Sequence, residues 1–158
     1  MALDPTARQS NIVDSIKKYL EDNVYASSGI PVSFDKVLNY PDLRNPKTQK
    51  WVAVRLGSIR IEDMSDIFFD IYVCTRLDNQ GFVLAQTRDT VMGHLAVDPD
   101  TESDGTKRIP FYRSHPTDAW TLIGGLVIVQ VNESPVFYAP DDTKFKILTV
   151  RLRTASKI

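Results

Sequence analysis

At 158 residues and 17.9 kDa, the chain is the size of one domain, which buries roughly 70% of the surface its unfolded state exposes. Its 42% apolar and 25% charged residues exclude wholesale disorder. The balance of 19 basic against 20 acidic side chains, net −1, excludes the strong positive field that gathers nucleic acid regardless of sequence.

The opening Met1-Ala2-Leu3-Asp4-Pro5 lacks a basic stretch followed by an apolar segment, so synthesis and folding in the cytoplasm are expected. Asp4 before Pro5, and Thr6 with Gln9, are start signals for a helix. Ile12, Val13, Ile16 and Leu20 then recur at three- and four-residue spacing until Ser27-Ser28-Gly29 stops the pattern, which predicts one amphipathic helix with one buried stripe. Pro31 to Phe34 reads as a short strand. The polar stretch from there to Lys50, holding Pro41 and Pro46, reads as a long surface loop with a binding role, because long structureless loops are uncommon in compact domains.

Trp51 to Leu56 alternates as a strand, and Ile59 and Ile61 extend it past Gly57, where a bulge or bend is expected. After a connection at Asp63-Met64-Ser65 comes the clearest strand, to Arg76. It carries Ile67, Phe69, Ile71 and Val73 on one face and Phe68, Asp70, Tyr72 and Cys74 on the other. Cys74 is the one cysteine, which excludes a disulfide framework and multi-cysteine metal sites; its apolar setting marks a buried structural thiol. Asp78-Asn79-Gln80-Gly81 offers caps for a second helix from Phe82 to Leu95, with Leu84, Thr87, Val91 and Leu95 on its packing face. Residues 97 to 107 form an acidic loop. Arg108 to Tyr112, Leu122 to Val131 and Phe145 to Leu152 then supply three strands, with a bend or close backbone approach expected at Gly124-Gly125.

Two helices cannot supply the crossovers of an all-parallel sheet this size. The expected fold class is α+β: one domain, residues 1–158, with a mixed or antiparallel sheet, two helices packed on one side, and extended loops and hairpins. The longest strongly apolar run, Thr121 to Val131, is about half of what a membrane-crossing helix needs, so no membrane partner is expected.

Tests for chemistry give little. Asp100 to Gly105 imitates half of a calcium loop, but its twelfth position is Phe111 and not a bidentate glutamate. Ser114, His115 and Asp118 sit in a proline-containing turn, where they read as turn chemistry; a hydrolase using them is the competing class. His94, near the end of the second helix, suits the helix dipole as a cation. Two histidines and one cysteine show no zinc-ligand spacing, and no phosphate-cradling glycine loop is present. No cofactor or metal is expected. What remains is surface: Tyr40, Pro41, Leu43, Trp51, Val136, Phe137 and Tyr138, in or beside loops and strand ends, are candidate interface residues, alongside the aromatics Tyr112 and Trp120.

The order of elements resembles that of the tail terminator and tail-completion proteins of long-tailed bacteriophages: the helix from Thr6 to Glu21, the Pro31–Phe34 strand with its long loop, the Trp51–Arg76 hairpin, the Phe82–Leu95 helix and the closing strands through Leu152. The likeness covers most of the chain and is architectural, with no diagnostic short motif. It implies a structural virion protein with no catalytic role, at the head-proximal end of the tail. A ring, commonly of six copies, would cap the tail tube, end its polymerisation and meet a head-completion or connector protein, with a tail sheath as a further neighbour. DNA would only pass through the lumen, where Arg151, Arg153 and Lys157 are candidate facing residues. The 35 to 50 loop and the 132 to 144 hairpin are the expected contacts between subunits or adjoining rings. Another neck or head-completion adaptor is the alternative the same residues allow.

Overall fold

The computed structural model describes residues 8–35, 49–96, 107–113, 120–139 and 142–154. The first helix, α1 (Arg8–Leu20), continues without a break through a π-helical turn, Glu21–Tyr25, and a last α turn, Ala26–Ser28. The π turn has a cause in the apolar spacing. Ile12, Ile16, Leu20 and Val24 repeat every four residues, so the stripe drifts around a helix of 3.6 residues per turn, and a wider turn returns Val24 to the core. Gly29, at φ 70°, ends the helix in the left-handed conformation that glycine adopts without penalty, its N–H donating to the Tyr25 carbonyl at 2.8 Å.

Seven strands make one sheet in the order β1 (Val32–Phe34), β2 (Lys50–Arg60), β3 (Ser65–Thr75), β7 (Lys144–Thr154), β5 (Thr121–Glu133), β4 (Arg108–Arg113), with β6 (Phe137–Tyr138) also pairing with β7. Short β1 runs parallel to β2; every other pairing is antiparallel. The second helix, α2 (Phe82–Gly93), links β3 to β4. Both helices bury their apolar residues in one core with the same face of the sheet: Ile12, Ile16, Leu20, Leu84 and Val91 meet Val52, Val54, Phe69, Ile71, Leu148 and Val150. The fold is thus the α+β class expected, mixed in strand direction.

The expected bulge falls at Gly57: the β2–β3 register shifts between Leu56 and Ile59, and a Cβ at Gly57 would lie 3.0 Å from the Phe68 carbonyl oxygen. The bend near Gly124 is a second shift. Phe111 pairs with Gly124 and Tyr112 with Leu122, leaving Ile123 as the extra residue. Asp78 caps α2, its carboxylate accepting from the Leu84 N–H at 2.9 Å. Burial opposes charge on Asp78, but the backbone N–H groups of Leu84, Val83 and Gly81, together with Lys144, outweigh it and lower its pKa. Cys74 is buried, as its strand context predicts. Ile61 is not a strand residue: β2 ends at Arg60, and Ile61 stands exposed in the turn to β3. Ser65, expected in that connection, is the first residue of β3.

Candidate subunit and partner interface

The sheet face opposite the helices carries alternating aromatics and charges. Trp51, Cys74, Phe145 and Phe137 are cross-strand neighbours, followed along the strands by Ala53, Tyr72 and Ile147, then by Arg55, Asp70 and Thr149. Phe145 stacks between Tyr72 and Phe137, with ring centroids at 6.2 and 5.5 Å. Arg55 lies over Tyr72 and Arg151 over Phe68. Thr149 donates to Asp70 at 2.8 Å. Most side chains here are half-buried, as on a sheet face that packs against itself and still meets solvent or a partner.

Arg151 and Arg153, the candidate lumen residues, both lie on this face, and both bridge to Asp66, at 2.9 and 3.1 Å. The Arg151 hydrogen bond is the largest influence on the Asp66 carboxyl; burial opposes it, Arg153 adds to it, and the pKa falls. Asp66 therefore takes up part of the positive charge that these arginines could offer to a phosphate. Lys157 lies outside the described residues, as do Tyr40, Pro41, Leu43, the segments 36–48 and 97–106, and Ser114, His115 and Asp118.

Trp51 corrects an expectation. It is 2% exposed and cannot serve as a contact for another protein: its strand pairs it with Cys74, and Arg76 covers the ring at 5.9 Å. Val136, Phe137 and Tyr138 are exposed as expected, Tyr138 by 74%. They stand where β6 pairs with the start of β7, and the same end of the sheet exposes Leu77, which follows β3, and Phe82, which opens α2. Beside them a cleft of about 270 Å³ opens between α2 and the β5–β6 segment, lined by Leu84, Ala85, Arg88, Glu133, Val136 and Lys146. Arg88 holds Glu133 through two parallel hydrogen bonds, 2.9 and 2.7 Å, and Lys146 donates to the same carboxylate. Chiefly through Arg88, and against burial, this lowers the Glu133 pKa from 4.5 to about 2.

The opposite end of the sheet holds a second exposed apolar group: Trp120, named above among the surface aromatics, and two residues of the expected Leu122–Val131 strand. β5 begins well before its pairing with β7, which starts at Val127 with Arg153, and among the described residues its first residues pair with β4 alone. Trp120, Leu122 and Ile123 are exposed there, Leu122 by 64%. Half-buried Tyr112 meets Trp120 edge to face at 5.9 Å, with Lys18 of α1 over both rings. Ser15 of α1 closes the free edge of β4: its hydroxyl accepts from the Tyr112 N–H at 2.9 Å and lies 3.5 Å from the Tyr112 carbonyl oxygen. The exposure of Trp120 had a cue in its place beside the strand; that of Leu122 and Ile123 had none, because an apolar strand residue does not announce what covers it.

His94 closes α2, its N–H donating to the carbonyls of Val91 and Met92 and its own carbonyl accepting from Tyr19. Burial, then Lys107, lower its pKa, so the neutral ring is favoured over the dipole-complementing cation expected. Among the described residues no three His, Cys, Asp or Glu side chains converge as metal ligands, and no helix is long and apolar enough to cross a membrane.

No protein-family model and no curated protein sequence matches the chain. Several solved chains match, and one of them has a TM-score of 0.60 over 93% of this chain and 95% of its own length, at 9% sequence identity. That likeness is one of fold, and folds host many functions.

Proposed function

We propose that this chain is a structural virion protein of a long-tailed bacteriophage. Copies close into a ring, six by the family resemblance, at the head-proximal end of the tail tube. The ring stops tube polymerisation and presents its other face to a head-completion or connector protein. The reading assigns no reaction to the chain; DNA passes through the lumen without being read.

The observation that supports it most is the exposure of separate apolar groups at the two ends of one sheet: Val136, Phe137 and Tyr138 at one, Trp120, Leu122 and Ile123 at the other. Two different patches on one molecule are what a head-to-tail ring with neighbours above and below requires, whereas a two-fold dimer needs a single self-complementary patch.

The test is electron microscopy of particles assembled with and without the chain, and of purified protein added to tail tubes. Tubes of uncontrolled length in its absence, and rings on tube ends in its presence, are the expected results. Tails of normal length that fail to join heads would instead assign the chain to a neck adaptor. Normal joined particles without the chain would overturn both.

A further inference from the structure

The face of the sheet opposite the helices turns basic toward β4, and register places the charges. Arg153 of β7 stands beside Val127 of β5, which stands beside Arg108 of β4; Arg151 is the next residue of β7 on that face, beside Gln130. The intervening Ile109, Leu126 and Leu152 point the other way, into the core. Arg108 lies across β5, its Cδ 3.7 Å from the point where Gly125 would carry a Cβ. With strands about 5 Å apart and alternate residues about 7 Å apart, the three arginines leave the backbone within roughly 12 Å of one another.

The carboxylate of this group sits beneath it. The Asp66 side chain is 7% exposed, against 28% for Arg151 and 38% for Arg153, so it holds both guanidiniums from below. Arg151 spends Nη2 on it and Arg153 spends Nε. A guanidinium has five N–H donors, and among the described residues neither arginine gives another to a protein acceptor. Arg108 is exposed, and its side chain has no ion pair there. Arg108, Arg151 and Arg153 against Asp66 leave two positive charges in surplus. On the far flank Arg60 is matched by Glu62, and further along β3 the charge of Asp70 is offset by Arg55, its cross-strand neighbour.

We propose that this patch contacts the phosphate backbone of duplex DNA, with Arg108, Arg151 and Arg153 as donors and Asp66 as a built-in competitor that keeps the contact weak. Duplex DNA carries one negative charge per ~1.7 Å of axis, so several phosphates fall within the span of the three side chains. The planar fork of arginine matches phosphate oxygens. A small surplus of charge still attracts a polyanion of that density, whereas the scattered carboxylates of a protein surface gain little from it. Such contacts hold a duplex without reading its sequence. The inference rests on the ring reading for the source of the DNA, and adds to it that this face of the sheet lines the lumen.

The test is fluorescence anisotropy of labelled duplex DNA of mixed sequence with the full chain, across a salt series. Three phosphate contacts give a slope of log affinity on log salt of about −2.7, a loss of about fortyfold between 50 and 200 mM. Arg108→Gln, at an exposed position, should reduce the slope by about one. Asp66→Asn keeps an acceptor oxygen and removes the competing charge; it should bind roughly threefold more tightly or better, a gain that a merely structural Asp66 does not give. Lys17→Gln takes the same charge from α1, on the other side of the sheet, and should leave the slope unchanged. Thermal melts check folding, and if Asp66→Asn does not fold, Arg108→Gln against Lys17→Gln decides alone. Absence of binding at about 50 mM salt, equal effects of Arg108→Gln and Lys17→Gln, or a folded Asp66→Asn that binds no better would each overturn the proposal. So would polyglutamate that displaces the DNA at equal charge, which would assign the patch to an acidic protein. Rings on tail tubes are scored separately: rings without DNA affinity sink this contact alone, and DNA affinity without rings sinks the ring reading alone.

Discussion

At the β4 end of the sheet, Phe111 is almost fully buried in the core cluster that holds Ile12 and Ile16 of α1, and Ser15 seals the strand edge. At the β6 end, α2 is tied to the sheet across its outer side by Arg88, Glu133 and Lys146, and its start is fixed by the Asp78 carboxylate. The difference teaches where each end is vulnerable. Burial of apolar surface is indifferent to pH and strengthened by excluded salts, whereas partly exposed ion pairs weaken with salt and fail when the carboxylate is protonated. Two ends that expose similar apolar groups share one core, and the β6 end adds to it partly exposed ion pairs that the β4 end does not use in the same place.

The largest effect should come from the buried side. Phe111→Ala removes a fully packed ring from between α1 and β4 and should cost about 3–5 kcal/mol in urea unfolding. Amide exchange in β4 and at the start of β5 should accelerate more than in β6. Equal loss of protection at both ends would show that they unfold as one unit and would break the contrast.

Next in size is Asp78→Ala, which leaves the Leu84 N–H without its acceptor and should cost about 1 kcal/mol. Asp78→Asn, which keeps an acceptor oxygen, should lose less. Both should raise exchange in the first turn of α2 while leaving β4 protected.

Smaller again is the pH effect. Glu133 titrates at about 2 in the folded protein against an ordinary 4.5, so its contribution is complete above pH ~4.5 and is lost as pH falls toward 2. Glu133→Gln should melt below the wild type at neutral pH, and the gap should close across that interval. Comparing the two proteins isolates this group from Asp66 and Asp78, whose pKa values are also lowered. High salt at neutral pH should narrow the same gap; a constant gap from pH 6 to 2 would remove the charge explanation.

The pattern of what could be foreseen follows the range of the forces. The stripe Ile12, Ile16, Leu20, the inward set Ile67 to Val73 and the α2 face of Leu84, Thr87 and Val91 are legible because periodicity is a local record of burial. The bulge at Gly57 and the cap at Asp78 are legible for the same reason, each being set by residues a few positions apart. The π turn was not foreseen, because the four-residue repeat that causes it also passes for ordinary helix spacing. Three residues of β1 cannot declare that they run parallel to β2. Arg88 and Glu133 stand 45 residues apart, and nothing in local spacing joins them. Trp51, expected at the surface, is buried, and Leu122, whose strand pattern carried no expectation either way, is exposed, since residue type reports affinity for an apolar environment and not whether the chain supplies one.

The smallest effect on stability should accompany a change in assembly. In V136S/Y138S both altered side chains are exposed, and Phe137, which packs on Phe145, is untouched. Unfolding should shift by no more than ~0.5 kcal/mol. If the β4 end joins copies and the β6 end meets another component of the virion, ring mass should stay that of the wild type while attachment to tubes or to the connector falls. If rings themselves disappear, the subunit contact lies at the β6 end. The two outcomes are opposite for opposite assignments, so ring mass decides which end of the sheet faces a second copy.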